Sequence, residues 1–69
     1  MELSETKTML IAGLKNILTN KDVILAIALM LKSENQMLTM LDWISKHYKE
    51  NPDENRVIRI AKAITEKVQ

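Results

Sequence analysis

Residues 23–31 read VILAIALML, nine apolar residues in succession. A run with no polar position predicts an element that is enclosed on nearly all of its sides. The run is far too short to cross a bilayer, which needs roughly 20 apolar residues. A buried β-strand is the other interpretation, but no other segment offers a partner, and a lone strand would leave its backbone unpaired. The run therefore predicts an apolar helix at the centre of the domain, and any strip that the three other helices leave uncovered is expected to contact another chain.

Composition favours an all-α class for the rest of the chain. The 69 residues have room for one core, so residues 1–69 are expected to form a single helical domain. One glycine and one proline leave few turn signals, which argues against a fold of many strands. Hydrophobic residues make up 46% and charged residues 28%, as in an ordinary globular domain. The expected fold is a compact four-helix domain with the apolar second helix at its centre.

Capping residues divide the chain into the four helices. They are expected at about residues 4–18, 21–32, 34–50 and 52–68. Each begins after a residue whose side chain can accept a backbone N–H of the first turn: Ser4, Asn20, Ser33 and Asn51. Ser33 is followed three residues later by Gln36, which is the capping-box pattern. Pro52 is expected at the first helical position of the last helix.

The other three helices each carry one apolar stripe at helical spacing. In the first helix the stripe consists of Leu3, Leu10, Ile11, Leu14, Ile17 and Leu18. In the third it consists of Met37, Met40, Leu41, Ile44 and Tyr48. In the last it consists of Val57, Ile60, Ala61, Ile64 and Val68. Gly13 lies near the edge of the first stripe, where either the close approach of another helix or plain tolerance would explain it.

Catalysis is not expected. The only histidine, His47, lies two residues after Ser45, so the two side chains point to different faces of a helix. There is no cysteine to act as a nucleophile or metal ligand, and a single glycine rules out a glycine-rich phosphate loop. A domain of this size also has little room for a deep pocket. We therefore expect no enzyme activity, no cofactor, no metal site and no small-molecule substrate.

The same features predict a cytoplasmic protein with no membrane association. Small secreted domains usually carry disulfides, and this sequence has no cysteine. The first residues, MELSETK, are acidic and polar, unlike the basic start of a signal peptide.

Two apolar residues of the third helix lie off its stripe, and they indicate a protein interface. Leu38 and Trp43 flank the polar side of this helix, and His47 lies one turn after Trp43. Tryptophan is enriched at the centres of protein interfaces. The competing interpretation is that these residues widen a broad core stripe. Leu38, Trp43 and His47 are the candidate interface residues.

Positive side chains recur every three residues on the last helix. Arg56, Arg59 and Lys62, here called the basic strip, are candidates for contact with nucleic-acid phosphates or an acidic partner. A solvated helix face is the simpler interpretation. The second and third helices could also form a helix-turn-helix, although the first two turns of the would-be recognition helix lack Arg and Lys.

These observations predict a small non-catalytic intracellular protein-interaction or adaptor module. Its expected partner is a second copy of itself, forming a dimer, or another protein. The alternative is a small nucleic-acid-binding or transcription-regulatory protein that uses the basic strip of the last helix.

Overall fold

A computed structural model describes residues 4–69, and those residues form four α-helices and no β-strand. The helices are α1 (Glu5–Ile17), α2 (Lys21–Met30), α3 (Glu34–His47) and α4 (Glu54–Lys67). A 3₁₀ turn, Tyr48–Glu50, follows α3. The all-α four-helix domain predicted from the sequence is confirmed. Leu3, predicted in the first stripe, lies outside the described residues.

Three of the four predicted caps are confirmed. The side chains of Ser4 and Asn20 accept backbone N–H groups in the first turns of α1 and α2. Ser33 Oγ accepts the N–H of Gln36 at 3.1 Å, and Gln36 Oε1 accepts the N–H of Ser33 at 3.3 Å. This reciprocal pair is the capping box that the sequence predicted.

The boundary between α3 and α4 differs from the prediction, and Asn51 as the N-cap of α4 is wrong. Asn51 has a left-handed backbone, with φ of 51°, and it ends the 3₁₀ turn by donating its N–H to Tyr48 O. Asparagine tolerates this conformation better than most residues. The N-cap is Asp53, whose carboxylate accepts the N–H of Arg56 at 2.8 Å. The helix therefore begins two residues later than expected, and Pro52 lies before the cap.

The core is built from the predicted stripes. Its fully buried large side chains come from all four helices or their caps: Leu10, Leu14, Ile27, Leu31, Met40 and Val57. Tyr48 is an exception, because it lies in the 3₁₀ turn and is 47% exposed. The stripes therefore predicted the buried sides of the helices, except at Tyr48, which lies beyond the end of α3.

The most extensive helix contact joins α1 and α3, which run in the same direction. Thr6, early in α1, donates a hydrogen bond to Glu34 at the start of α3, and Gly13 faces Leu41 and Ile44 further along. A Cβ on Gly13 would lie only 3.3 Å from Leu41 Cδ2. Gly13 therefore lies where α3 approaches α1 closely, and an added methyl would require Leu41 to shift.

The second helix packs against α1 and α4. Its buried side is formed by Ile24, Ile27 and Ala28, but Leu25 is 54% and Leu29 is 70% exposed. The expectation that this run is enclosed on nearly all sides is therefore wrong. Two short neighbouring helices cover only part of a helix circumference, so one apolar face of α2 stays in contact with solvent.

The last helix runs antiparallel to α3. Gln36 Nε2, early in α3, donates to Val68 O at 2.7 Å, while Arg56, early in α4, lies beside Trp43 near the end of α3. Within residues 4–69, each helix is too short or too polar to span a membrane.

Candidate functional site

Four side chains join the end of α3 to the start of α4. The rings of Trp43 and His47 stack with their centroids 4.8 Å apart. His47 Nδ1 lies 2.8 Å from Glu50 Oε2, and Arg56 Nη2 lies 2.8 Å from Glu50 Oε1. The Arg56 guanidinium carbon lies 5.4 Å from the centre of the Trp43 ring, so the four contacts form a closed cycle. We call this group the Glu50 clasp.

Glu50 is the electrostatic centre of the clasp. Its hydrogen bond with His47, followed by that with Arg56, holds the pKa of its carboxyl below the usual value of 4.5. An ionised carboxylate can only accept, so the imidazole donates through Nδ1. His47, Glu50 and Arg56 all keep substantial contact with solvent. The clasp is thus a surface cluster in which two cationic or donor groups share one carboxylate.

The groove between α3 and α4 begins beside the clasp. It is a hollow of about 410 Å³ with apolar side chains on both walls: Trp43, Ile60, Ala63, Ile64 and Val68. Lys46 lines it too and forms an ion pair of 3.1 Å with Asp42. Lys67 lies at the same rim. The groove is therefore an apolar surface with a mildly basic edge.

The three predicted interface residues line two adjoining hollows. Trp43 and His47 meet and line the groove, as their spacing predicted. Leu38, 49% exposed, lines a neighbouring hollow that shares Thr39 and Val68 with the groove. The ring of Trp43 is half-buried and is already in contact with two side chains of its own chain.

A second apolar surface lies on α2. Leu25, Ala26 and Leu29 are exposed on one side of this helix, and we call them the α2 face. A hollow of about 280 Å³ beside Leu25 has Ile11 and Ile24 in its walls. Lys15 and Lys21 also line this α2 hollow. Leu25 and Leu29 are the two most exposed large aliphatic side chains of α2.

Sequence reasoning could not say which side of α2 would stay exposed, because nine apolar residues in a row show no contrast between sides. A signal was nevertheless present at the start of the helix. Lys21 and Asp22 are four and three residues before Leu25, so they lie on the same side of α2. Charged residues at these positions indicate the side that meets water.

The clasp includes the first residue of the basic strip and leaves the other two outside. Arg56 is partly buried and pairs with Glu50, whereas Arg59 and Lys62 are exposed. Over residues 4–69, neither Arg59 nor Lys62 takes part in an ion pair. The same part of the chain holds no group of three or more His, Asp or Glu side chains placed to bind a metal ion.

Comparisons of the chain with protein-family models, with curated proteins and with solved structures found no match. The fold and surfaces define a class, a small all-α domain of four short helices with solvent-facing apolar surfaces on α2 and between α3 and α4. Its function must be inferred from those surfaces.

Proposed function

We propose that this protein is a small non-catalytic interaction module that self-associates through the α2 face. The observation that carries the proposal is the exposure of Leu25 and Leu29 on the same side of one helix. A contiguous exposed apolar patch on a soluble domain is a candidate interaction surface. We also propose that the protein is cytoplasmic, as the absence of cysteine predicts.

A second copy is the occupant that the surface itself specifies. Leu29 projects from α2, while the α2 hollow lies beside Leu25 on the same surface. A projection and a recess on one surface suit a two-fold dimer, in which each copy offers both to the other. Lys15 and Lys21 lie at the edge of the recess, beside the exposed Asp22. The projecting Leu29 and the neighbouring recess therefore support a second copy as the partner.

The expected dimer is weak. Full burial of a leucine side chain stabilises by about 1.5–3 kcal/mol, and α2 offers two partly exposed leucines per copy. Association costs at least about 4 kcal/mol in lost translational and rotational freedom. We therefore expect a dissociation constant of roughly millimolar or weaker.

Light scattering or sedimentation equilibrium across a concentration series tests the proposal. Wild-type protein is expected to shift from monomer to dimer with concentration, and Leu29→Glu to weaken the dimer by at least about tenfold. Leu38→Glu, an equal change at an exposed leucine on α3, serves as the matched control and should leave the dimer unchanged. Circular dichroism checks that both variants keep their helices.

Two results would overturn the α2 assignment. A wild-type protein that stays monomeric at millimolar concentration contradicts self-association altogether. A dimer that is lost in Leu38→Glu and kept in Leu29→Glu places the interface on α3, where Leu38, Trp43 and His47 were predicted to form it.

Nucleic-acid binding is the second candidate, because Arg59 and Lys62 are exposed and form no ion pair within residues 4–69. Arg56 contributes less, since Glu50 balances its charge. Steeply salt-dependent binding to duplex DNA that is lost in Arg59→Glu/Lys62→Glu would favour this function. No binding to duplex DNA at low salt would contradict this function.

A further inference from the structure

Gln36 uses both polar atoms of its side-chain amide, and each serves a different helix end. Its Oε1 accepts the N–H groups of Lys32 and Ser33, at 2.9 Å and 3.3 Å, just before α3. Its Nε2 donates to Val68 O at 2.7 Å, at the end of α4. Two donors on one side and a carbonyl on the other fix the orientation of the amide. One side chain therefore caps the start of α3 and the end of α4 together.

We propose that residues 65–69, here called the α4 strap, are latched to α3 by Gln36 and open locally when this hydrogen bond is broken. Within residues 4–69, the bond to Val68 is the one hydrogen bond or ion pair that joins the strap to another helix. The opposite end of α4 is held separately, because Arg56 belongs to the Glu50 clasp. The strap can therefore open while the clasp stays closed.

The backbone at the end of α4 makes the strap depend on this bond. The last carbonyl groups of a helix have no partner within it. Many helices close with a left-handed residue that satisfies them through the backbone. Val68 is extended instead, with φ of −115° and ψ of 133°, and Gln36 supplies the donor to its carbonyl. Val68 N–H in turn bonds to Ile64 O at 2.8 Å, so losing the contact at Val68 loosens the whole last turn.

Opening of the strap changes the surface between α3 and α4. Val68 is half-buried against the core, and it lines both the groove beside Trp43 and the neighbouring hollow that contains Leu38. Lys67 lines both hollows as well. Movement of these two residues away from α3 enlarges both hollows and exposes the apolar side chains beneath Val68. The strap is thus a lid over part of this surface, held shut by one polar contact.

Gln36→Glu tests the latch, because it removes the Nε2 donor and keeps an acceptor for the capping box. At neutral pH it also places a carboxylate against Val68 O, which is repulsive. Amide hydrogen exchange followed by NMR should show Lys67 and Val68 exchanging at least about tenfold faster than in the wild type, with the amide of Gln36 itself replaced but its neighbours at the start of α3 unchanged. The hydrophobic dye anilinonaphthalene sulfonate should bind more strongly to this variant, because the open strap exposes apolar surface.

Ser33→Ala and Asn35→Asp are the controls. Ser33→Ala removes the acceptor of the Gln36 backbone N–H and leaves Nε2 in place, so it should speed exchange at the start of α3 alone. Asn35→Asp makes the same change from amide to acid at an exposed neighbouring residue. It should leave exchange at Lys67 and Val68 within about twofold of the wild type, because that side chain does not reach α4.

Several outcomes would overturn the latch. Lys67 and Val68 that are unprotected in the wild type would show that the strap is already open. Equal exchange at these two residues in Gln36→Glu and the wild type would show that the hydrogen bond does not hold it. Faster exchange throughout all four helices would show global opening, and faster exchange at the strap without extra dye binding would contradict its role as a lid.

Discussion

Glu50 Oε1 lies 2.8 Å from Arg56 Nη2, and this contact joins the 3₁₀ turn after α3 to the first turn of α4. The other carboxylate oxygen is 2.8 Å from His47 Nδ1 on α3 itself. One exposed acid thus links two helices across the left-handed Asn51. Its consequences for stability can be measured without knowing the partner of the protein.

Acid is expected to weaken the Glu50 clasp. The pKa of Glu50 is lowered in the folded protein, chiefly by its hydrogen bond with His47 and next by that with Arg56. A lowered acid pKa contributes stability that is present above the unfolded value of 4.5 and is lost as the pH falls through the folded value. Thermal melts below about pH 5 should therefore show a steeper loss of stability in the wild type than in Glu50→Gln.

Glu66→Gln is the control for this comparison, because Glu66 is an exposed α4 residue outside the clasp. It should keep the steep acid dependence of the wild type. An identical pH profile for Glu50→Gln and the wild type would show that the charge of Glu50 adds nothing to folding.

Gly13→Ala should stabilise the protein less than helix propensity alone predicts. Alanine is worth up to about 1 kcal/mol over glycine inside a helix. The added methyl would lie 3.3 Å from Leu41 Cδ2, so part of that gain is lost in moving this side chain. Urea denaturation of Gly13→Ala and of Gly13→Ala in a Leu41→Ala background measures the difference. The full gain of about 1 kcal/mol should appear only in the second case, where the obstructing atom is absent.

The two sides of α2 should respond very differently to truncation. Ile27 is fully buried and Leu29 is 70% exposed, although the two are neighbours in one apolar run. Ile27→Ala is expected to cost about 2–5 kcal/mol, whereas Leu29→Ala in the dilute monomer should cost less than about 1 kcal/mol. Urea denaturation at low protein concentration makes the comparison. Equal losses at both positions would contradict the exposed α2 face.

Replacing the cap of α4 should locate the start of that helix. Asp53→Ala removes the acceptor of the Arg56 N–H and is expected to cost about 1 kcal/mol. Asn51→Gly should be neutral or slightly stabilising, because glycine adopts the left-handed backbone of this position at no steric cost. An unchanged stability in Asp53→Ala would contradict Asp53 as the N-cap of α4.

Local interactions made several parts of this structure predictable. The caps at Ser4, Asn20 and Ser33 depend on contacts within three residues, so the sequence contains both partners of each bond. The stripes of α1, α3 and α4 likewise follow from helical periodicity, which needs no knowledge of neighbours. The stacking of Trp43 on His47 also follows from their spacing of four residues.

The chain by itself therefore determined four helices, most of their boundaries and the sides that they bury. Tertiary packing decided which side of α2 remains in water. All sides of a uniformly apolar run are alike, so the exposed side depends on where α1 and α4 pack. It also decided that Glu50 meets Arg56 across the left-handed Asn51, which displaced the start of α4. Both outcomes depend on where separate helices meet, and that information is not contained in the periodicity of any one of them.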